Sequence, residues 1–351
     1  MMKKKLSLLL AAAMSLSLMA GCVKTPPAAE PAPPQEPEVV EPAPDPAGDP
    51  EAVEPINFAV LSGPTGVGAA KLITDAQNEA TQMSYQTTVA AANDEITPAL
   101  INGTLDIAAV ATNLAANLNA KTEGGIQVLC VNTLGVLYIL EKGDTVHEMA
   151  DLKGKTLYAP SNTKGANPEH ILNHLLTESG VEPTEVDIQW LTPQEITAKM
   201  TTEDAGICML PVPAATAVLA KDANVRQAIS LSDAWEQVEG SPLPMGCVVA
   251  RSEFVERDPQ AVEAFLSEYE QSIAYVSDEA NRADASEMIA QLAITPSAGI
   301  AAKAIPQCNL TFVTGEEMKD TLEGYYQILF QNAPDSIGGA MPYDSFYYGV
   351  E

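Results

Sequence analysis

Histidine is scarce in this chain, with three residues in 351. General acid–base chemistry draws on histidine most often, and so do many metal sites, so both have little to work with here. Basic side chains are few as well, 18 Lys and Arg against 47 Asp and Glu, for a net charge of -29. Such a surface repels phosphate backbones, which excludes nucleic-acid binding. No Cys-x-x-Cys pair occurs among the five cysteines, which removes the usual spacing of a structural zinc site. Nucleotide-binding loops are missing too. Gly63 to Gly68 is followed by Ala69 where a phosphate-binding loop needs Lys and then Ser or Thr. Lys71 stands where the dinucleotide fingerprint needs its last glycine. No Gly-x-Ser-x-Gly elbow is present, so no hydrolase nucleophile is legible.

What the chain does have begins with an export signal. Lys3, Lys4 and Lys5 precede an apolar stretch at residues 6–19, too short to cross ~30 Å of hydrocarbon but suited to a signal peptide. Ala20-Gly21-Cys22 resembles the lipobox of bacterial lipoproteins, although Met19 stands where Leu is usual. That resemblance implies cleavage after residue 21 and lipidation of Cys22, a palmitate-type acyl anchor in the cell membrane. Residues 22–55 read as a tether: 11 Pro and 8 acidic residues follow the Cys, and they cannot bury enough apolar surface to order the segment. Four cysteines remain, Cys130, Cys208, Cys247 and Cys308, all in apolar surroundings that favour buried thiols over bridges.

From residue 56 onward short apolar runs alternate with amphipathic stretches. Strands are expected at residues 56–61, 85–89, 106–110, 128–132 and 136–141, with helices at 67–81, 95–101 and 112–120. A second unit has strands at 156–158, 186–190, 207–210 and 225–229. Its helices run from Asn167, as N-cap before Pro168, to Ser179, and over 213–221. Strand 247–250 and helices at 259–275, 280–293 and 316–331 complete the chain. This alternation predicts an α/β fold with mostly parallel sheets covered by helices.

The ordered set of landmarks resembles a known family. Asp151-Leu152-Lys153-Gly154-Lys155 before a strand is similar to the start of the second lobe in type II periplasmic-type binding proteins. Gly103-Thr104-Leu105-Asp106 between a helix and a strand, and Arg251-Ser252-Glu253-Phe254-Val255 with Asp258-Pro259 and a long helix, are similar to further landmarks of theirs. The chain resembles the nitrate/sulfonate/taurine and thiamine-precursor branch of ABC-importer substrate-binding lipoproteins. This implies a two-lobed fold with a cleft between lobes: lobe one at 56–146 and 245–351, lobe two at 147–244, and hinges near 141–151 and 242–246. It also implies a small-molecule solute, ABC permease and ATPase subunits as partners, no cofactor and no enzymatic activity. A sensor or adhesion lipoprotein, or an enzyme of the pyrimidine-synthase-like branch, are the rival readings. Gly63-Pro64-Thr65-Gly66-Val67-Gly68 resembles a first ligand loop, without the basic residue that some anion-binding members use there.

Ligands of open α/β sheets bind beyond the carboxyl ends of strands, where helix N-termini offer free N–H groups. Four loops meet that condition: Ser62, Gly63, Pro64, Thr65 and Gly66; Thr112 and Asn113; Ser161, Asn162, Gly165 and Asn167; and Pro211 and Val212. His170, His174 and Glu178 share a helix face at i, i+4 and i+8, a spacing open to a metal, but Ile171 stands where a zinc protease needs Glu. A solvated face is the expectation for them. Tyr343, Phe346, Tyr347 and Tyr348 are expected to pack as a C-terminal lid.

Overall fold

The computed structural model describes residues 54–91 and 93–350, which fall within one contact unit, residues 53–351. The signal segment, Cys22 and all but the last two tether residues lie outside the described residues.

Three parallel strands open the fold: β1 (Ile56–Leu61), β2 (Tyr85–Ala90) and β3 (Ile107–Ala111), with β1 between the other two. They are joined by helices α1 (Pro64–Val67), α2 (Ala70–Gln77) and α3 (Asn93–Asn102). Helix α4 (Thr112–Lys121) and strand β4 (Ile126–Leu134) follow. The chain then crosses to a second sheet with β5 (Leu137–Lys142), β6 (Thr156–Pro160), α5 (Asn167–Glu178), β7 (Asp187–Leu191) and α6 (Pro193–Thr202). Strand β8 (Gly206–Pro211), α7 (Ala214–Lys221), β9 (Val225–Ser230) and α8 (Leu231–Glu239) complete that half. The return brings β10 (Pro244–Arg251), α9 (Ser252–Arg257), α10 (Pro259–Ser277), α11 (Arg282–Gln291), α12 (Ala298–Ala304), β11 (Leu310–Val313) and α13 (Gly315–Asn332).

The first sheet has the order β11-β4-β10-β3-β1-β2 and the second β7-β6-β8-β5-β9. The expected parallel runs are present as β1, β2 and β3 in one sheet and β6, β7 and β8 in the other. The strands by which the chain enters each half run against them. β10 inserts antiparallel between β3 and β4, and β5 antiparallel between β8 and β9. Every residue of β10 except Arg251 is buried, which explains its unbroken apolar sequence: helices cover both faces of a central strand. On one face Phe58 of β1 meets Phe265 and Tyr269 of α10 edge-on, with ring centroids 5.1 and 6.1 Å away.

Several expectations are corrected. The sequence places residues 137–146 in the first lobe with a hinge near 141–151. β5 instead pairs with β8 and β9, so the first crossing is at Gly135-Val136. Apolar residues on both sides of Gly135 read alike in the sequence, and only pairing partners distant in the chain separate them. The helix expected at 67–81 is shorter, α2 at Ala70–Gln77, and the segment before it, expected as a turn at 62–66, carries the one-turn helix α1. Asn167 is not the N-cap of α5. Ala166 occupies that place in extended conformation, and Asn167 is the first helical residue. Of the C-terminal aromatics Phe346 and Tyr347 are buried, whereas Tyr343 is 81% exposed.

Two C-terminal helices tie the halves together. α12 packs on α7, and α13 lies on β4 and β10 while also touching α5 of the second half. All four described cysteines are free and buried. Burial in apolar surroundings pushes the thiols of Cys208 and Cys308 up to about 12 and those of Cys130 and Cys247 further still, so they pack as inert apolar groups.

Candidate functional site at the double crossing

The carboxyl ends of β1, β3 and β4 lie at one edge of the first sheet, because β4 runs with β3 and both oppose β10. In the second sheet the ends of β6, β8 and β9 likewise share an edge, opposite in sense to β5. The chain crosses between these two edges twice, so both sets of loops meet at the crossings.

Three consecutive residues at the start of β10 show the convergence. Pro244 accepts a hydrogen bond on its carbonyl from the Thr112 hydroxyl at 2.9 Å. The sulfur of Met245 lies 3.8 Å from the Asn167 side-chain nitrogen. Gly246 has no side chain because none fits: a Cβ there would lie 2.4 Å from Thr65 Cγ2 and 2.6 Å from Asn132 Oδ1. Thr65 of the first loop, Thr112 of the second and Asn167 of the third thus come together against one short segment. The fourth loop joins at the other crossing, where the Val212 amide donates to the Val136 carbonyl at 3.0 Å.

Not every expected residue is drawn in. Ser62 is exposed and its amide donates to Ala90, while that of Gly63 donates to Ile294. Gly66 is required by close approach to its own strand, since a Cβ would fall 2.3 Å from the Leu61 carbonyl oxygen. Pro64 and Asn113 are half-buried at the starts of α1 and α4. Ser161, Asn162 and Gly165 are exposed, and the Gly165 amide is taken by Glu169. Pro211 is committed to β8, paired with Leu137.

Helix α13 seals the junction. The Tyr325 hydroxyl donates to Asn167 Oδ1 and that of Tyr326 to the Thr112 carbonyl at 2.9 Å, so one helix pins a loop from each half. Burial pushes both phenols well above their ordinary values, so they remain protonated donors. Beside Tyr325, at 5.7 Å between centroids, lies Trp235 of α8, with His174 5.2 Å beyond. The expected solvated face for His174 is therefore wrong. Its ring is buried, with Nε2 2.6 Å from Glu239 and Nδ1 3.4 Å from the Asn332 amide nitrogen. An amide nitrogen can only donate, so Nδ1 accepts and Nε2–H donates to the carboxylate. His170 is half-buried, and desolvation holds it below its ordinary value. Among the described residues no three His, Cys, Asp or Glu side chains gather as a metal-holding group.

Among the buried polar atoms without a protein partner, Asn132 Oδ1, Thr133 Oγ1 and Ser232 Oγ belong to residues against Gly246 and Gly135 at the crossings, and Trp235 Nε1 lies on α8. Each such atom costs about 1–3 kcal/mol when left unsatisfied. Asn132 and Thr133 close β4 and are 1% and 0% exposed. Ser232 presses on the other crossing, 2.0 Å from where a Cβ at Gly135 would stand. The amide of Asn132 has one allowed orientation, since its nitrogen donates to the Thr65 carbonyl at 3.1 Å and to the Tyr269 hydroxyl at 2.7 Å. The free atom is therefore the carbonyl oxygen. None of the four is among the residues expected from the sequence. Ser230 with Asp233 three residues on was the signal that could have revealed α8, whose N-cap is the Ser230 hydroxyl accepting from the Asp233 amide at 3.2 Å. Open cavities of about 530 and 320 Å³ lie away from these loops, one beside Lys71 and Tyr275, the other beside His147 and Val238.

Comparison with known proteins agrees with this architecture. Residues 118–283, just under half of the chain, match the family model described as NMT1/THI5 like. No curated protein matches. Among solved structures, an ABC transporter protein from Parabacteroides distasonis superposes with a TM-score of 0.69 at 22% identity, covering 84% of this chain and 98% of that one. The periplasmic aliphatic sulphonate binding protein SsuA of Escherichia coli gives 0.66 at 16%, covering 82% and 96%. The alkanesulfonate-binding protein SsuA of Xanthomonas axonopodis pv. citri, bound to MOPS, gives 0.60 at 15%, covering 82% and 94%. The chain has the two-lobed α/β fold of periplasmic binding proteins, and its middle portion is similar in sequence to the NMT1/THI5-like family.

Proposed function

We propose that this protein is an extracytoplasmic solute-binding component of an ABC importer, which closes its two halves on a small molecule at the double crossing and presents the closed form to a membrane permease. The observation that carries the reading is the convergence of Thr65, Thr112, Asn167 and Val212, from both halves, on the two crossing segments. Two sheets joined by two short irregular segments can rotate about those segments with few φ/ψ changes. A solute that touches both edges binds the closed arrangement better, and that difference supplies the closing free energy. The lobes of this reading are residues 56–134 with 244–350, and 137–240. The sulphonate-binding proteins of the same fold support it.

Binding rather than turnover fits the side chains present. The crossing carries hydroxyls, amides and aromatic rings, and His174, the histidine beside it, has both ring nitrogens engaged. Lys3 to Lys5, the apolar residues 6–19 and Cys22 support export and lipid attachment to the membrane, with residues 23–55 as tether. The ATPase subunit would act through the permease, without contact to this chain.

Differential scanning fluorimetry against a metabolite panel tests the proposal. A solute at 100 times its Kd stabilises the folded state by about 2.7 kcal/mol. The same solute must shrink the radius of gyration in small-angle scattering as the halves close. A stabilising solute recovered chemically altered after incubation would show an enzyme instead.

A further inference from the structure

Helix α13 reaches the second half at a further point, beyond Tyr325. Its last residue, Asn332, is exposed, yet the side-chain nitrogen lies 3.4 Å from Nδ1 of the buried His174 on α5. The same nitrogen donates to the Ile328 carbonyl at 3.0 Å. His174 Nδ1 is therefore an acceptor and the ring is neutral, with its one proton on Nε2 and directed to Glu239 of α8 at 2.6 Å. We propose that His174 is an acid-sensitive latch between the halves: neutral, it holds the C-terminal turn of α13 against the second half, and protonated, it lets that turn go.

The two partners of the ring respond to a proton in opposite senses. Protonation places an N–H on Nδ1, facing the N–H of Asn332, so donor meets donor. Turning the Asn332 amide over would offer its oxygen, but only by giving up the bond to Ile328. The bond to Glu239 becomes charge-assisted and stronger. It joins α5 to α8, both in the second half. What protonation gains therefore lies within one half, and what it loses lies between the halves. Histidine is the side chain whose charge ordinarily changes between pH 5 and 8. Its other neighbours do not compete for that proton. Trp235 of α8 packs on the ring at 5.2 Å and Tyr325 of α13 packs on Trp235, both uncharged. On α5 itself, His170 stands one turn before and the exposed Glu178 one turn after. Short turns at 149–152, 161–163 and 183–185 also touch α5. Their carboxylates, Asp151 and Glu185, are taken by the His147 and Glu148 amides and by Lys153.

Trp190 and Trp235 are the two tryptophans of the chain. In Trp190→Phe the indole beside His174 is the sole reporter, quenched as the imidazole becomes charged. Hydrogen exchange of the same protein gives the protection factors of residues 326–332 from pH 8 to pH 5. Quenching and loss of protection should share one midpoint, with protection falling about two- to tenfold, the scale of one hydrogen bond. His174→Gln in the same background should abolish both changes. Asn332→Asp supplies a carboxylate that accepts from the Nδ1–H, so there acid should raise protection instead of lowering it. A merely structural contact would not reverse sign, and the exposed position 332 keeps folding out of the comparison. Quenching without loss of protection, no quenching between pH 8 and pH 5, or a fall of protection in Asn332→Asp as in the parent would each overturn the latch. No solute enters either readout, so a negative result leaves the solute-binding reading to its own test.

Discussion

Gly246 and Gly135 show how closely the two crossings are packed at the level of single atoms. Neither sits at positive φ, so the requirement is space and not backbone freedom. A methyl group at 246 meets Thr65 and Asn132, and one at 135 meets Ser232. Gly246→Ala should therefore destabilise the fold by about 1–3 kcal/mol, the usual cost of an extra carbon in a full core. Equilibrium urea unfolding measures it, and an unchanged midpoint would show that the crossing is loosely packed. Tyr325 makes the complementary case. Tyr325→Phe removes the donor to Asn167 and leaves that side chain with a weak sulfur contact alone. A loss of about 1–3 kcal/mol is expected by the same measurement. Asn167 also illustrates what a sequence conceals: an Asn before a Pro reads as a helix cap, and here the side chain is spent on tertiary partners while Ala166 takes the capping place uncapped.

Helix α8 packs Ser232 against the crossing at Gly135 and carries little signal in the sequence. It begins on the last residue of β9, so Ser230 ends a strand and caps a helix at once. With no loop between them, period two runs straight into period 3.6 and neither pattern is long enough to stand out. The small helix α12, the edge strand β11 and α6 escaped as well. α12 is dominated by alanine and glycine, and β11 is a four-residue edge whose pairing with β4 is nonlocal. By contrast α10 was legible, because Asp258 and Pro259 fix its start and nineteen residues of apolar periodicity follow. The strands after which ligand loops were expected were legible for the same reason, being short apolar runs bounded by Gly and Pro. Which loops face one another was not legible, since that follows from the insertion of β5 and β10 into sheets whose other strands lie far away in the chain. α8 has a definite energetic signature. Trp235 is 1% exposed, against Tyr325 and His174. Trp235→Ala should cost about 3–5 kcal/mol in urea unfolding, whereas Ser230→Ala, which removes only the cap, should cost about 1 kcal/mol.

At the scale of the whole molecule two pH effects oppose each other, and one residue separates them. With 47 acidic side chains the folded protein repels itself, and acidification relieves that repulsion. Glu141 works in the other direction. It is 2% exposed at the end of β5, where burial alone would raise its pKa. The Thr145 amide and hydroxyl, the Val146 amide and Arg226, 2.6 Å away, outweigh burial and hold it below its ordinary value. A carboxylate with a lowered folded pKa gives its full stabilisation above about pH 4.5, its unfolded value, and loses it as the pH falls through the folded value. Glu141→Gln should accordingly be less stable at pH 7 by about 2 kcal/mol, the scale of hydrogen bonds to a charged group. The gap to the parent should narrow steadily below pH 4.5. Molar salt shortens the screening length to about 3 Å, which suppresses surface repulsion but leaves the buried Glu141–Arg226 contact largely intact. Measured in 1 M NaCl, the difference in unfolding free energy between parent and variant should keep its pH dependence while the parent's own curve loses its acid-side gain. A difference that stays constant from pH 7 to pH 3 would mean that Glu141 has the same pKa folded and unfolded and that its hydrogen bonds contribute no linkage.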